Sequence, residues 1–236
     1  MALPKLNDNP EYEVVIPSSK KTIKFRPFLV KEQKILMIAF ESNDRKQMLN
    51  AMIKTLESCI EDNIDVKKLA TFDVDYLFTQ IRSKSVGETS DLVFKCQNCE
   101  KEIEHKLNLY EIQPPITEKI NRIKINDSIS IEMNYPSYSY FIDNNIDVEK
   151  NNNTENIMEF IIACMDSIIT EDEQIKLKDE SREEIVNFIE SLNVDQFNNM
   201  AKFVNTLPQL RHEFEITCPH CNTVNKQRLE GLQSFF

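Results

Sequence analysis

Four of the six cysteines form two C-x-x-C pairs, Cys96-Gln97-Asn98-Cys99 and Cys218-Pro219-His220-Cys221. Two such turns supply four thiolates, the ligand set of a structural tetrahedral zinc site. The two-residue spacing lets a tight turn aim both sulfurs and several backbone N–H groups at one ion. The flanks repeat one pattern as well: aligning Cys96 with Cys218 sets Phe94 on Ile216, Lys95 on Thr217, Lys106 on Arg228 and Leu107 on Leu229. The expectation is two zinc knuckles, within 90–110 and 211–229, each on the tip of a β-hairpin. They share one structural Zn ion through Cys96, Cys99, Cys218 and Cys221. The 118 residues between the pairs, 100–217, exceed what a compact zinc ribbon holds, so the matched flanks carry more of the argument than the spacing. A thioredoxin-like redox pair needs its C-x-x-C at a helix N-terminus, whereas each pair here lies between strands. Thiols without metal are the remaining reading. Four thiolates leave no open position for water, so such a zinc holds shape and performs no reaction. His220, inside the second turn, reads as a bystander.

The rest of the inventory offers little chemistry. Only Gly87 and Gly231 are glycine in 236 residues, so no GxGxxG turn and no Walker-type phosphate loop can be written. His105 alternates along a strand and His212 sits beside Arg211 and Glu213, neither with a nucleophile in a defined relation to it. Acidic pairs such as Asp73/Asp75 read as helix caps or solvated faces. No catalytic or cofactor-binding residue is assigned, and the protein is expected not to be an enzyme. A net charge of −11 disfavours general binding to nucleic acid, which needs a basic surface to neutralise phosphates. The longest apolar runs, Ile35 to Phe40 and Phe160 to Met165, fall far short of the ~20 residues of a membrane helix. The start, Met1 to Asp8, lacks a signal-peptide core. No small-molecule substrate is implied. Cys59 and Cys164 stand alone in apolar helical stretches and read as buried free thiols.

The elements that position the cysteine pairs follow from periodicity. Glu13–Ile16 and Thr22–Phe25 alternate as strands around a Pro17–Lys20 turn. Helical spacing follows from Lys31 through Phe40 and from Met48 through Cys59, with short helices over 65–69 and 73–81, Asp73 serving as a cap. Strands return around the first pair, at Leu92–Phe94 and Ile103–Leu109. The segment Ile120–Ile125, the Asn126-Asp127-Ser128 turn and Ile129–Met133 form another hairpin. An exposed polar loop over 143–153 precedes helices over 157–167, 182–191 and 194–205, with Asp179 and Ser181, and separately Asn193, as starts. Strands over 211–217 and 223–229 flank the second pair. Short β-hairpins flanking helices without regular βαβ alternation give an α+β fold, expected as a single domain over 1–236.

Several segments taken together resemble the baseplate hub proteins of T-even-type contractile-tailed bacteriophages. They are Phe25-Arg26-Pro27-Phe28-Leu29-Val30-Lys31-Glu32 with Ile35 to Ala39, then Lys84-Ser85-Val86-Gly87-Glu88, Met133-Asn134-Tyr135-Pro136-Ser137 and the two cysteine pairs. They span nearly the whole chain in order. The resemblance implies a non-catalytic subunit of the baseplate hub, resident in the virion, made in the host cytoplasm and partnered with other hub or tail proteins. The alternative it leaves is a tail assembly chaperone that binds a hub or tape-measure protein and then leaves. The last residues, Leu229 to Phe236, end in two aromatics read as an exposed docking end, with packing back on the second knuckle as the other reading.

Overall fold

The computed structural model describes residues 9–42, 44–117, 122–144 and 154–235. It is a mixed α+β protein of short antiparallel hairpins and helices, as expected. The chain divides into two compact units: residues 1–116 with 209–236, and residues 117–208. Proline stands at both crossings, Pro114-Pro115 before the second unit and Pro208 at its end. Lacking an N–H, proline ends an element where no ladder hydrogen bond is needed.

The first unit begins with strands β1 (Tyr12–Val15) and β2 (Thr22–Phe25), an antiparallel hairpin that buries Val14, Ile16, Ile23 and Phe25. Helices α1 (Val30–Glu41), α2 (Arg45–Cys59) and α3 (Thr71–Ser85) follow, with a 3-10 turn at Val66–Lys68 where a short helix is anticipated. Arg26 ties these pieces together. Its guanidinium donates to Glu32 Oε1 at 3.0 Å, to the Ser58 carbonyl at 2.8 Å and to the Pro27 carbonyl at 2.9 Å. Glu32 Oε2 accepts the Leu29 N–H at 2.8 Å. One ion pair thus joins the end of β2, the start of α1 and the end of α2. Burial pushes the Glu32 carboxyl up, but the Arg26 guanidinium and the Leu29 N–H outweigh it and hold the group below the usual carboxylate range.

Asp73 is not a helix cap. The residue ahead of α3 is Ala70, and Asp73 sits buried in the first turn. Its carboxylate accepts the Ser18 N–H at 2.8 Å and the Ser18 hydroxyl at 2.5 Å, which fixes the β1–β2 turn from 55 residues away. The tertiary partner joins a local one, the Ala70 N–H, because a buried carboxylate must have its lone pairs filled.

The remaining strands of the first unit are β3 (Thr89–Lys95), β4 (Glu102–Asn108), β9 (Arg211–Thr217) and β10 (Val224–Glu230). Behind the two hairpins, Leu107, Leu109 and Ile112 pack with Leu210, Leu229 and Phe235 in one buried cluster. Phe235 is 0% exposed, which corrects the reading of an exposed C-terminal docking end. Gly231 takes φ 73 after β10 and donates its N–H to the Leu210 carbonyl at 3.0 Å, turning the chain back over the cluster. Phe236 lies outside the described residues.

The second unit is built on the antiparallel sheet β5 (Arg122–Lys124), β6 (Ser130–Met133), β7 (Met165–Ile169) and β8 (Gln174–Lys176). Ile123, Ile131, Ile168 and Ile175 stand opposite one another across all four strands, a continuous apolar row. Against it pack α4 (Tyr138–Asp143), α5 (Thr154–Cys164), α6 (Arg182–Glu190) and α7 (Val194–Asn205) through Phe141, Phe160, Ile161, Ile189 and Met200. Ser181 and Asn193 start α6 and α7 as anticipated, each in a capping box with Glu184 or Gln196. The helix anticipated through Ser167 ends at Cys164, and the chain continues as strand β7. An uninterrupted apolar run fits a buried helix and a buried strand equally, so its period cannot separate them. Pairing on both sides decides it. The polar stretch over 143–153 lies, from 145 onward, outside the described residues, as does Ile120.

Two outcomes follow. Arg26→Ala takes the guanidinium from buried Glu32, leaving it the Leu29 N–H and the exposed Lys31 ammonium at 3.4 Å, and costs about 1–3 kcal/mol at neutral pH. Because Glu32 is held low in the folded protein, its contribution is present above its ordinary pKa near 4.5 and is lost as pH falls. The stability gap between wild type and variant in chemical denaturation therefore narrows on acidification. Phe235→Ala empties a filled site and costs about 3–5 kcal/mol in the same measurement; an unchanged midpoint would show that the end packs nowhere.

Candidate metal centre

The two cysteine pairs occupy the tips of hairpins with one shared geometry. In β3–β4 the last paired residues are Lys95 and Glu102, and in β9–β10 they are Thr217 and Val224, so each tip holds six residues. Cys96 N–H donates to the Lys101 carbonyl and Cys218 N–H to the Thr223 carbonyl, both at 2.9 Å. Glu100 N–H returns to the Cys96 carbonyl at 3.0 Å and Asn222 N–H to that of Cys218 at 2.9 Å. Glu100 and Asn222 both turn left-handed, at φ 59 and 58. The matched flanks read from the sequence are therefore a real structural repeat. Neither turn uses glycine, although the left-handed region costs other residues roughly 1–2 kcal/mol.

The structure brings all four anticipated cysteines together. Every pair of their sulfurs lies within 4.8 Å. Cys96 Sγ is 3.6 Å from Cys221 Sγ, and Cys99 Sγ is 3.7 Å from Cys218 Sγ. A tetrahedral ion with metal–sulfur bonds of about 2.3 Å requires sulfurs about 3.8 Å apart. The donor set therefore fits a small tetrahedral cation, and thiolates suit a borderline-soft one. Cys96 and Cys218 are buried while Cys99 and Cys221 are half-buried, so one side of the cluster faces the hairpin cores. His220 is exposed and stays outside the cluster, as anticipated.

The electrostatics point the same way. Hydrogen bonds from the Thr223 side chain and backbone pull the Cys221 thiol down to about 5. The Cys99 and Asn98 N–H groups lower Cys96. The Lys101 N–H works to lower Cys99 too, but burial and the neighbouring Cys221 and Cys218 thiols drive it up to about 12. Such a spread is what four thiols at contact distance produce, because each thiolate formed repels the next. A divalent cation at the centre reverses that repulsion. By contrast the isolated Cys59 and Cys164 are buried, as anticipated, and burial pushes them up to about 11 and about 12.

One residue of the site escapes sequence reasoning. Asn225 is fully buried; its side-chain carbonyl accepts the Gln97 N–H at 2.8 Å and its amide donates to the Thr223 carbonyl at 2.9 Å. It thereby bolts the second hairpin to the C-x-x-C turn of the first. The available signal is a break in the repeat, since the equivalent position of the first hairpin is Ile103, packed beside Cys96, Ile216 and Cys218. Further down, Phe214 stacks on His105 at 4.7 Å and on His212 at 5.3 Å, with Phe94 edge-on at 5.7 Å. Burial lowers His212, so both imidazoles serve here as packing rings between the hairpins.

A closed four-sulfur cluster at the junction of two hairpins defines a class of protein whose metal, when bound, fixes shape. The chain belongs to the family described as T4 bacteriophage base plate protein, which matches residues 9–236. No curated protein and no solved structure matches it. Among the described residues no helix is long and apolar enough to cross a membrane. The family supports a structural role in the phage tail baseplate, in contact with other baseplate or tail proteins.

Asn225→Ala removes the acceptor of the Gln97 N–H and with it the hydrogen bond between the two turns, and lowers stability by about 0.5–1.5 kcal/mol in denaturant unfolding. A midpoint equal to wild type would remove Asn225 from the site.

Proposed function

We infer that this chain is a non-catalytic subunit of the baseplate hub, required for hub and tail assembly, with one structural zinc ion held by Cys96, Cys99, Cys218 and Cys221. The observation that carries the reading is the sulfur cluster itself. Its tetrahedral spacing admits zinc, and its four donors leave the ion no position for a substrate or an activated water. Family membership over residues 9–236 supplies the baseplate, and the ordered segments from Phe25 to Cys221 support the hub within it. The two compact units act together as one subunit. Contacts are with other hub or tail proteins, since a net charge of −11 favours basic protein surfaces over phosphate backbones. The protein is made in the host cytoplasm and incorporated in the virion.

The experiment is made in the phage itself. Purified wild-type protein carries about one zinc per chain, and Cys218→Ser lowers metal content and melting temperature together. Phage bearing that substitution yields tails without finished hubs, and mass spectrometry finds the wild-type chain in purified particles. Normal infectious particles from a disrupted gene would overturn the hub reading. A chain essential for assembly yet absent from particles would instead make it a tail assembly chaperone.

A further inference from the structure

Helix α1 carries apolar side chains on both faces. Glu32, Leu36 and Ala39 are its buried residues, and at 100° per residue they mark one side of the helix. Val30, Lys34, Met37, Ile38 and Glu41 project from the opposite side. Val30 is 80% exposed, and Met37 and Ile38 are each 55% exposed. Ile35 and Phe40 flank this face and are exposed as well. Val30, Met37 and Ile38, with the charged Lys34 and Glu41 between them, form an exposed strip, and apolar side chains gathered on one exposed helix face mark a contact surface.

The charges on the strip say what fits it. Lys34 lies one side of the Met37–Ile38 pair and Glu41 the other, each about 5 Å along the axis from its midpoint at 1.5 Å per residue. Two copies of α1 laid antiparallel about a two-fold axis through that midpoint bring Lys34 of each against Glu41 of the other. Met37 of each copy then meets Met37 of the other at the centre, and Ile38 meets Ile38. A parallel arrangement sets like charges together. The strip is thus complementary to itself, which is the requirement of an isologous contact. We propose that the outer face of α1 is a self-association surface, and that a second copy of this chain occupies it in the free protein. The inference is independent of the zinc and of the hub assignment. One helix pair buries less than the roughly 1,200 Å² of a stable complex, so the dimer is weak and depends on concentration.

Sedimentation equilibrium of the purified full-length chain, from low micromolar to several hundred micromolar, tests this. The expected result is a monomer–dimer equilibrium. Met37→Glu, at an exposed helix position, abolishes it while leaving the circular dichroism melt unchanged. Lys34→Glu and Glu41→Lys each weaken association about tenfold, because two symmetric pairs become two repulsions. The double variant K34E/E41K restores it, since both partners in each pair are exchanged. Monomers throughout, a larger assembly, a dimer indifferent to Met37→Glu, or a double variant no tighter than the singles would each overturn the proposal.

Discussion

The meeting of Cys96 and Cys99 with Cys218 and Cys221 is the constraint on which the first unit depends. Each hairpin by itself is a two-stranded ribbon of seven-residue strands, and such ribbons are marginal in water. Their shared interior is small: four sulfurs at the tips, Asn225 bridging the turns, the rings of Phe94, His105, His212 and Phe214, then the cluster around Leu107 and Phe235. Without the tips joined, the ribbons would have to close a loop of more than a hundred residues on apolar contacts alone. The entropy of that closure grows only slowly with length, as the logarithm, which is why an insertion as large as residues 117–208 is tolerable once the junction is secured.

The N-terminal part of the same unit is organised by a different interaction, the Arg26–Glu32 pair. Both side chains are largely withdrawn from water, and such a pair stabilises only when the leftover donors and acceptors are filled. Here the Ser58 and Pro27 carbonyls and the Leu29 N–H fill them. The segment Phe25 to Glu32, which carries much of the family resemblance, is therefore an architectural motif. Its residues record how β2, α1 and α2 are joined and contain no reactive group.

What could be read from the sequence tracks the range of the interactions involved. The hairpins at 12–25, 89–108 and 211–230 declare themselves through alternation and turn residues, which are local. The helix starts at Ser181 and Asn193 are legible for the same reason. The cysteine quartet was legible across 118 residues because thiol pairs at fixed spacing have few other uses and the flanks repeat. The failures are all tertiary. Asp73 has a helix-cap residue type but a better partner in Ser18. Ile161 to Ile169 has no period to distinguish helix from strand, and only pairing of Ile168 with Ile131 and Ile175 settles it. Asn225 looks like any polar strand residue until Gln97 is seen opposite it. Two aromatics closing the sequence fit an exposed end and a packed one equally, and only the turn at Gly231 shows Phe235 returned to the core.

The split layout of the first unit imposes a schedule on its synthesis. Cys99 leaves the ribosome 122 residues before Cys221. At the bacterial-type pace of 5–20 residues per second, the first knuckle waits on the order of 6–24 s for its mate. During that interval residues 117–208 emerge complete and can collapse around their own isoleucine row, a compact body formed between two halves of another. The early hairpin meanwhile holds two unsatisfied sulfurs, an open edge on each strand and an uncovered Leu107–Ile112 surface. Nascent chains in that state are at their most vulnerable to mispairing and to scavenging of the thiols, and the hairpin over 211–230 is what ends the exposure.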